Sequence, residues 1–257
     1  MLEDDFTYVL RKALLGHELA PAQAAALAGL RESDALAFLR GAFSAASARR
    51  LASVLELNPD AFAAHATYLP RTLALPGIER LDLPFDGERV NAWLIRDGGV
   101  IILFDAGHVT GDLVRALNGS LPDRVFITHA HRDHIGGLGH LLAAGIPVHG
   151  ADIPGTIAMK PGETVFCGPL VIRACDLSGH AAPALGFHVD GLLQPLLVTG
   201  DALFAGSMGG CATPAIYQHA RRRLREVLGR LPDATVLLPG HGPATTLGEE
   251  RVANPFL

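Results

Sequence analysis

Cysteine is scarce in this chain: three among 257 residues, at Cys167, Cys175 and Cys211. A small, odd number excludes a disulfide framework and points to a reducing compartment. Long apolar runs are also missing. The most apolar stretch, Val100 to Phe104, falls far short of the ~20 residues that cross a bilayer. The opening residues, Met1 to Phe6, are acidic and carry no apolar run, which is not the pattern of a secretory signal. Nor is there a basic excess. The formal net charge is -5, so no general attraction to nucleic acid or acidic membranes follows. The expectation is a soluble cytoplasmic protein with no membrane partner. What the sequence does have is apolar content, 49%, enough for one large core or two smaller ones. It also has twelve histidines, more than packing alone calls for.

The pattern changes along the chain. Residues 1–69 are rich in Ala and Leu at helical spacing, with Phe6, Val9, Leu10, Ala13 and Leu14 on one face. Pro21 opens a second helix through Ala28, and Gly29 ends it. Ser33 caps a third helix to about Leu39, and Ser44 or Ser47 a fourth through Leu57. Asn58-Pro59-Asp60 breaks the chain before a last short helix, and Pro70 and Pro76-Gly77 mark a linker. From Ile78 onward short β-rich runs appear at 89–96, 100–105, 124–128, 170–174, 185–189, 193–199 and 235–238, with helical patterns at 111–118, 135–144 and 215–231. Mixed strands and helices predict an α/β layered domain over 70–257 behind a small all-α domain over 1–69. No repeat or low-complexity tract is present.

The strongest chemical signal is Thr128-His129-Ala130-His131-Arg132-Asp133-His134-Ile135-Gly136-Gly137. The strand Val125-Phe126-Ile127 runs straight into it. In extended chain His129 and His131 point to one side and can share a cation. Asp133 and His134 sit at the following helix start and reach a neighbouring point. Gly136 and Gly137 let backbone pass close by. Imidazole and carboxylate suit Zn²⁺, and imidazole also suits iron.

This H-x-H-x-D-H pattern resembles the signature of the metallo-β-lactamase superfamily. The resemblance implies an αββα sandwich with a one- or two-metal site at one edge. Three later segments resemble the superfamily's remaining ligand motifs: Ser178-Gly179-His180, Val198-Thr199-Gly200-Asp201 and Leu238-Pro239-Gly240-His241-Gly242. Asp105, in Phe104-Asp105-Ala106-Gly107, matches the superfamily's early aspartate, which by resemblance holds a ligating histidine or the glycine-bearing loop rather than a metal. The end of the chain, from Pro239 to Arg251 with Asn254-Pro255-Phe256, is similar to the short bacterial branch related to glyoxalase II, the hydroxyacylglutathione hydrolases. Glyoxalase II proper has a helical C-terminal domain that helps bind glutathione. Sixteen residues follow His241 here, a departure from that pattern, so glutathione recognition does not follow from the resemblance.

The resemblance assigns His129, His131 and His180 to one metal, and Asp133, His134 and His241 to a second, with Asp201 bridging. Two divalent ions, zinc first with iron or manganese as alternatives, would hold a hydroxide at neutral pH and polarise a carbonyl. Asp133 would also orient the hydroxide, with Asp105 supporting the site. The implied reaction is hydrolysis of a thioester or activated ester of a small molecule. One alternative is a persulfide dioxygenase with one iron on His129, His180 and Asp201, a two-histidine, one-carboxylate set. Another is a lactonase or other hydrolase of this fold. His108, His149, Tyr217 and Cys211 are weaker pocket candidates.

Residues from about Leu19 to Phe62 resemble a λ-repressor-like helix-turn-helix unit. Residues 1–65 nevertheless hold six Lys/Arg against eight Asp/Glu, and the candidate reading helix opens with Glu32 and Asp34, which suits phosphate poorly. A nucleic-acid partner is therefore not expected. A docking or homodimerisation module, or a cover over the active-site edge, fits the composition better.

Overall fold

The computed structural model describes residues 1–257. Five helices come first: α1 (Phe6–Gly16), α2 (Pro21–Leu27), α3 (Glu32–Leu39), α4 (Ala45–Val54) and α5 (Pro59–Ala64), closed by a 3₁₀ turn at His65–Thr67. Asp5 caps α1 by accepting from the backbone N–H groups of Thr7 and Tyr8, which satisfies donors that lack intrahelical partners. Helix α3 starts at Glu32 rather than behind a Ser33 cap. Arg31 stands at the cap position and its guanidinium grips the Asp34 carboxylate. Helix α4 stops at Val54, short of Leu57, because Glu56 turns to φ 52°.

Two six-stranded sheets follow. The first contains β1 (Ile78–Phe85), β2 (Glu88–Asp97), β3 (Val100–Phe104), β4 (Arg124–Ile127), β5 (Val148–Gly150) and β6 (Ile157–Ala158), in that order, with α6 (Thr110–Leu117), α7 (Arg132–Ile135) and α8 (Leu138–Ala143) between strands. Strands β1 to β3 run antiparallel and β3 to β6 parallel. The second sheet is built from β7 (Thr164–Cys167), β8 (Leu170–Asp176), β9 (Leu185–Asp190) and β10 (Leu196–Gly200). A small hairpin of β11 (Leu203–Phe204) and β12 (Ser207–Met208) and the helix α9 (Pro214–Leu228) come next. Strands β13 (Val236–Pro239) and β14 (Thr245–Thr246) complete the sheet, and α10 (Leu247–Ala253) ends the fold. Strands β10 and β13 are parallel neighbours.

Strand periodicity sets the layers. In β2 and β3, Trp93, Ile95, Ile102 and Phe104 point toward the second sheet and meet Ile172, Phe187, Val189 and Val198 in one core. The alternate residues Ala92, Leu94 and Leu103 point the other way, onto Leu113, Leu117, Leu138 and Leu141 of α6 and α8. The outer face of the second sheet is covered by α9 and the N-terminal helices. Val9, Leu10, Ala13 and Leu14 of α1 share a single apolar cluster with Tyr217, Ala220, Leu224, Leu203 and Leu237. The order is helix, sheet, sheet, helix: an αββα sandwich with an N-terminal helical region on one outer face.

The helix expected over 135–144 is two helices, α7 and α8. The break lies at Gly136-Gly137, whose N–H groups donate to the carbonyls of Gly107 and Ala106. A Cβ on Gly136 would stand 1.9 Å from the His108 carbonyl oxygen, so only glycine permits that approach.

Candidate metal centre

Parallel strands end on the same edge, and here the ends carry the ligand-type residues. Asp105 follows β3, His129 and His131 follow β4, and Asp133 and His134 open α7. From the other sheet, His180 lies in the β8–β9 connection, Asp201 follows β10, and His241 follows β13. The structure brings seven of these residues into two groups that share Asp201. His129, His131, His180 and Asp201 form one; Asp133, His134, Asp201 and His241 form the other, with ligand atoms in each group within 4.8 Å of one another. Each group draws two residues from each sheet.

The orientations follow from the hydrogen bonds behind each ring. His134 donates from Nδ1 to Asp105 Oδ2 at 2.8 Å. His241 donates from Nδ1 to the Arg89 carbonyl at 2.7 Å, and His180 from Nδ1 to the Gly210 carbonyl at 2.8 Å. Thr128 has one hydroxyl proton and gives it to Asp105, so its oxygen accepts from His129 Nδ1 at 3.0 Å. In all four rings the bond at Nδ1 leaves Nε2 facing the shared centre, where it can take a cation or a proton. The Nδ1 of His131 faces the same point, 3.0 Å from His129 Nε2 and 3.1 Å from His180 Nε2. Asp105 touches neither group's centre; besides His134 it accepts from the Thr128 backbone N–H at 2.8 Å.

The donor set fits divalent cations. His134 Nε2 and Asp201 Oδ1 are buried with no hydrogen-bond partner, although 3.3 Å apart. Converging lone pairs repel unless a cation or proton sits among them. Burial, reinforced by the His134 imidazole, pushes His129 down to about 2, and burial with His180 lowers His131. Protons are thus disfavoured on these two rings. The second behaves oppositely. Burial opposes charge on His134, but Asp201 and Asp105 override it and hold its pKa up at about 10. Burial likewise opposes charge on His241, which Asp133, Asp201 and Glu3 raise to about 11. Burial works to raise Asp201, yet His134 and His241 hold it well below the ordinary carboxylate range. Protons on His134 and His241 stand in for positive charge that the carboxylates demand.

The groups open into a cavity of about 640 Å³ whose walls include His131, His180, Asp201 and His241. Its outer wall comes from the other end of the chain: Glu3, Asp4, Tyr8 and Lys12 all face it. Nothing local in the sequence marks those four as pocket residues. Asn91 and Trp93 were also not legible as site residues. Their side chains donate to the Pro239 carbonyl at 2.9 and 2.8 Å and seat the loop that carries His241. Of the weaker candidates, Tyr217 is buried against His17 and Phe256 in the helix interface, outside the cavity. Cys211 is a buried residue of the same apolar cluster. His149 stacks on Phe126, and His108 packs edge-on against Phe85 at the cavity margin.

The sequence profile described as the metallo-beta-lactamase superfamily matches residues 85–166. The chain is 26% identical over 204 residues to the probable metallo-hydrolase YqgX of Bacillus subtilis (strain 168), covering 68% of this chain and 95% of that protein. It is 36% identical over 140 residues to a hydroxyacylglutathione hydrolase of Gloeobacter violaceus, covering 51% of this chain but only 52% of that enzyme. Among solved structures, TTHA1623 in a di-iron-bound form superposes with a TM-score of 0.54 at 27% identity, over 74% of this chain and 100% of that one. ETHE1 from Myxococcus xanthus gives 0.57 at 26% identity, over 69% and 83%.

Proposed function

Because this chain belongs to the metallo-beta-lactamase superfamily, we propose that it is a metal-dependent hydrolase of a small-molecule thioester or activated ester, built on two divalent ions. The observation that carries the reading is the pair of ligand groups joined at Asp201, in which His134 Nε2 and Asp201 Oδ1 are buried without a hydrogen-bond partner. His129, His131 and His180 would hold one ion, Asp133, His134 and His241 the other, and Asp201 both. The likeness to YqgX and to hydroxyacylglutathione hydrolases supports hydrolysis, and the di-iron form of TTHA1623 supports a two-ion centre. Zinc is the metal we propose, since the donors are imidazole and carboxylate.

When bound, such ions supply a nucleophile from water at neutral pH and withdraw electrons from the scissile carbonyl. The protein's own groups do the rest. Burial works to raise Asp133, but its hydrogen bond with His241 and the charge of His134 hold it below the ordinary carboxylate range, so the ionised oxygen would accept a hydrogen bond from the attacking water or hydroxide and orient it. Asp105 fixes the ring of His134 and, through Thr128, that of His129. No serine or cysteine nucleophile is required; Cys211, the nearest thiol in the loop, is raised to about 11 by burial. A thiolate leaving group departs without help from an acid, because a thiol ionises far more readily than an alcohol.

The test is elemental analysis of the purified protein with a panel of thioesters, lactones and β-lactams. Two ions and thioester turnover are expected, and His131→Ala should abolish metal-dependent turnover. Full activity in that variant with metal retained refutes the assignment. A second reading has one specific support, the likeness to ETHE1. His129, His180 and Asp201 would then hold a single iron for oxygen-dependent chemistry on a persulfide. One iron with oxygen consumption, in place of two ions with hydrolysis, selects it.

A further inference from the structure

We propose that the N-terminal helical region is a positioning element of the catalytic pocket, with Lys12 setting the imidazole of His180 through the loop after β12. The inference rests on the reading of His180 as a metal ligand. Three of the four rings anchored through Nδ1 take their partner from the sandwich itself: Thr128, Asp105 and the carbonyl of Arg89. His180 does not. It lies in an irregular connection, its side chain is 26% exposed, and its anchor is the carbonyl of Gly210. That carbonyl belongs to a loop that the helical region holds in place.

The holding contacts are specific. The Lys12 ammonium donates to the Met208 carbonyl at 2.8 Å and pairs with the Asp4 carboxylate. The same carboxylate accepts from the hydroxyl of Ser207, which is fully buried. The Lys12 ammonium also lies 5.5 Å from the Phe204 ring centre. On the other side of the hairpin, His65 hydrogen-bonds the Gly206 carbonyl at 2.9 Å. Asp4 is 6% exposed, and a carboxylate this deeply buried depends on the partners it has here. Two residues beyond Met208 the chain presents the Gly210 carbonyl to His180 Nδ1. A donor at Nδ1 forces the lone pair onto Nε2, toward His131 and Asp201 at 3.1 and 3.5 Å. Loss of that anchor frees the ring to flip or to change tautomer, and one ligand group loses a member. Lys12, Asp4 and the loop therefore form a chain of contacts from α1 to a single nitrogen.

The test compares wild type, Lys12→Met, Lys12→Arg and Asp4→Asn, full length. Two readouts are used: imidazole ¹⁵N shifts of His180 in the metal-free protein, and zinc affinities by chelator competition. In wild type His180 should be a single Nδ1–H tautomer. Lys12→Met should mix the tautomers and weaken one of two zinc ions by about tenfold or more, leaving the other within about twofold. Lys12→Arg should restore most of the loss. Asp4→Asn, which keeps the lysine and its carbonyl partner, should fall between and carries the test if Lys12→Met does not fold. An unchanged tautomer with both zinc affinities at wild-type values overturns the proposal. So does equal weakening of both ions, or a lower Tm alone, since these report a merely structural lysine. If wild type binds no zinc, the metal reading fails, and the ¹⁵N spectra still decide whether Lys12 orients His180.

Discussion

Asparagine in place of Asp105 changes one atom and puts the site's wiring under strain. Asp105 has φ 61°, a left-handed conformation that asparagine tolerates and most residues do not. The substitution is therefore neutral for the backbone. Its effect falls on the hydrogen bonds. Oδ1 accepts from the Thr128 backbone N–H, and Oδ2 accepts from His134 Nδ1, each at 2.8 Å. An amide has one acceptor and one donor end. With its oxygen toward Thr128, its NH₂ faces His134 Nδ1, and that ring must move its proton to Nε2, where it blocks the metal. With the amide reversed, two donors meet at Thr128. Either outcome costs about 10- to 100-fold in metal affinity, or roughly 1.4–2.7 kcal/mol. The loss should fall on the ion held by Asp133, His134 and His241, since His129 keeps its bond to the Thr128 hydroxyl. Chelator competition resolves the two affinities. Both remaining within twofold of wild type would refute the reasoning.

Gly240→Ala should empty the same group without unfolding the sandwich, because its Cβ would stand 2.1 Å from Asp201 Oδ1 and 2.7 Å from His134 Cε1; bound metal by elemental analysis and circular dichroism separate the two effects. Metal uptake should release protons. His134 and His241 hold theirs up to about 10 and 11, so at pH 7 binding displaces up to about two per protein and apparent affinity rises with pH. Calorimetry in buffers of differing ionisation enthalpy counts them, and a count of zero contradicts the charge balance described. The same raised values stabilise the metal-free fold fully below the unfolded histidine pKa of about 6.5 and lose that contribution as pH climbs through about 10 to 11. Phe187→Ala removes a fully buried ring that packs on Phe104 and Phe126 between the sheets. Destabilisation of about 3–5 kcal/mol should appear in denaturant unfolding.

Much of the site was legible because each motif is local: a buried strand that ends in a loop of imidazoles or carboxylates. The sandwich was legible for a similar reason, since strands such as Val125–Ile127 are apolar runs bounded by turns. Strand β1 was not, because it is an edge strand whose exposed residues and Pro84 blur the alternation. Glu3, Asp4, Tyr8 and Lys12 carry no local mark at all. They reach the cavity only because α1 packs its apolar face on α9, a contact of high sequence separation that periodicity does not encode. What periodicity does give is the amphipathic face; the composition of the region argued for a cover or docking role, and its contacts place it along the site.

Each ligand group takes half its members from either sheet. A cation bound in either position would act as a rivet across the sandwich seam, at the rim where the strands run out and the interior core no longer holds the layers together. Chelation should then loosen the whole fold, not only silence it: saturation at 100 times the dissociation constant is worth about 2.7 kcal/mol per site. Starvation for metal would make the protein a better substrate for proteases, so that abundance itself follows metal supply.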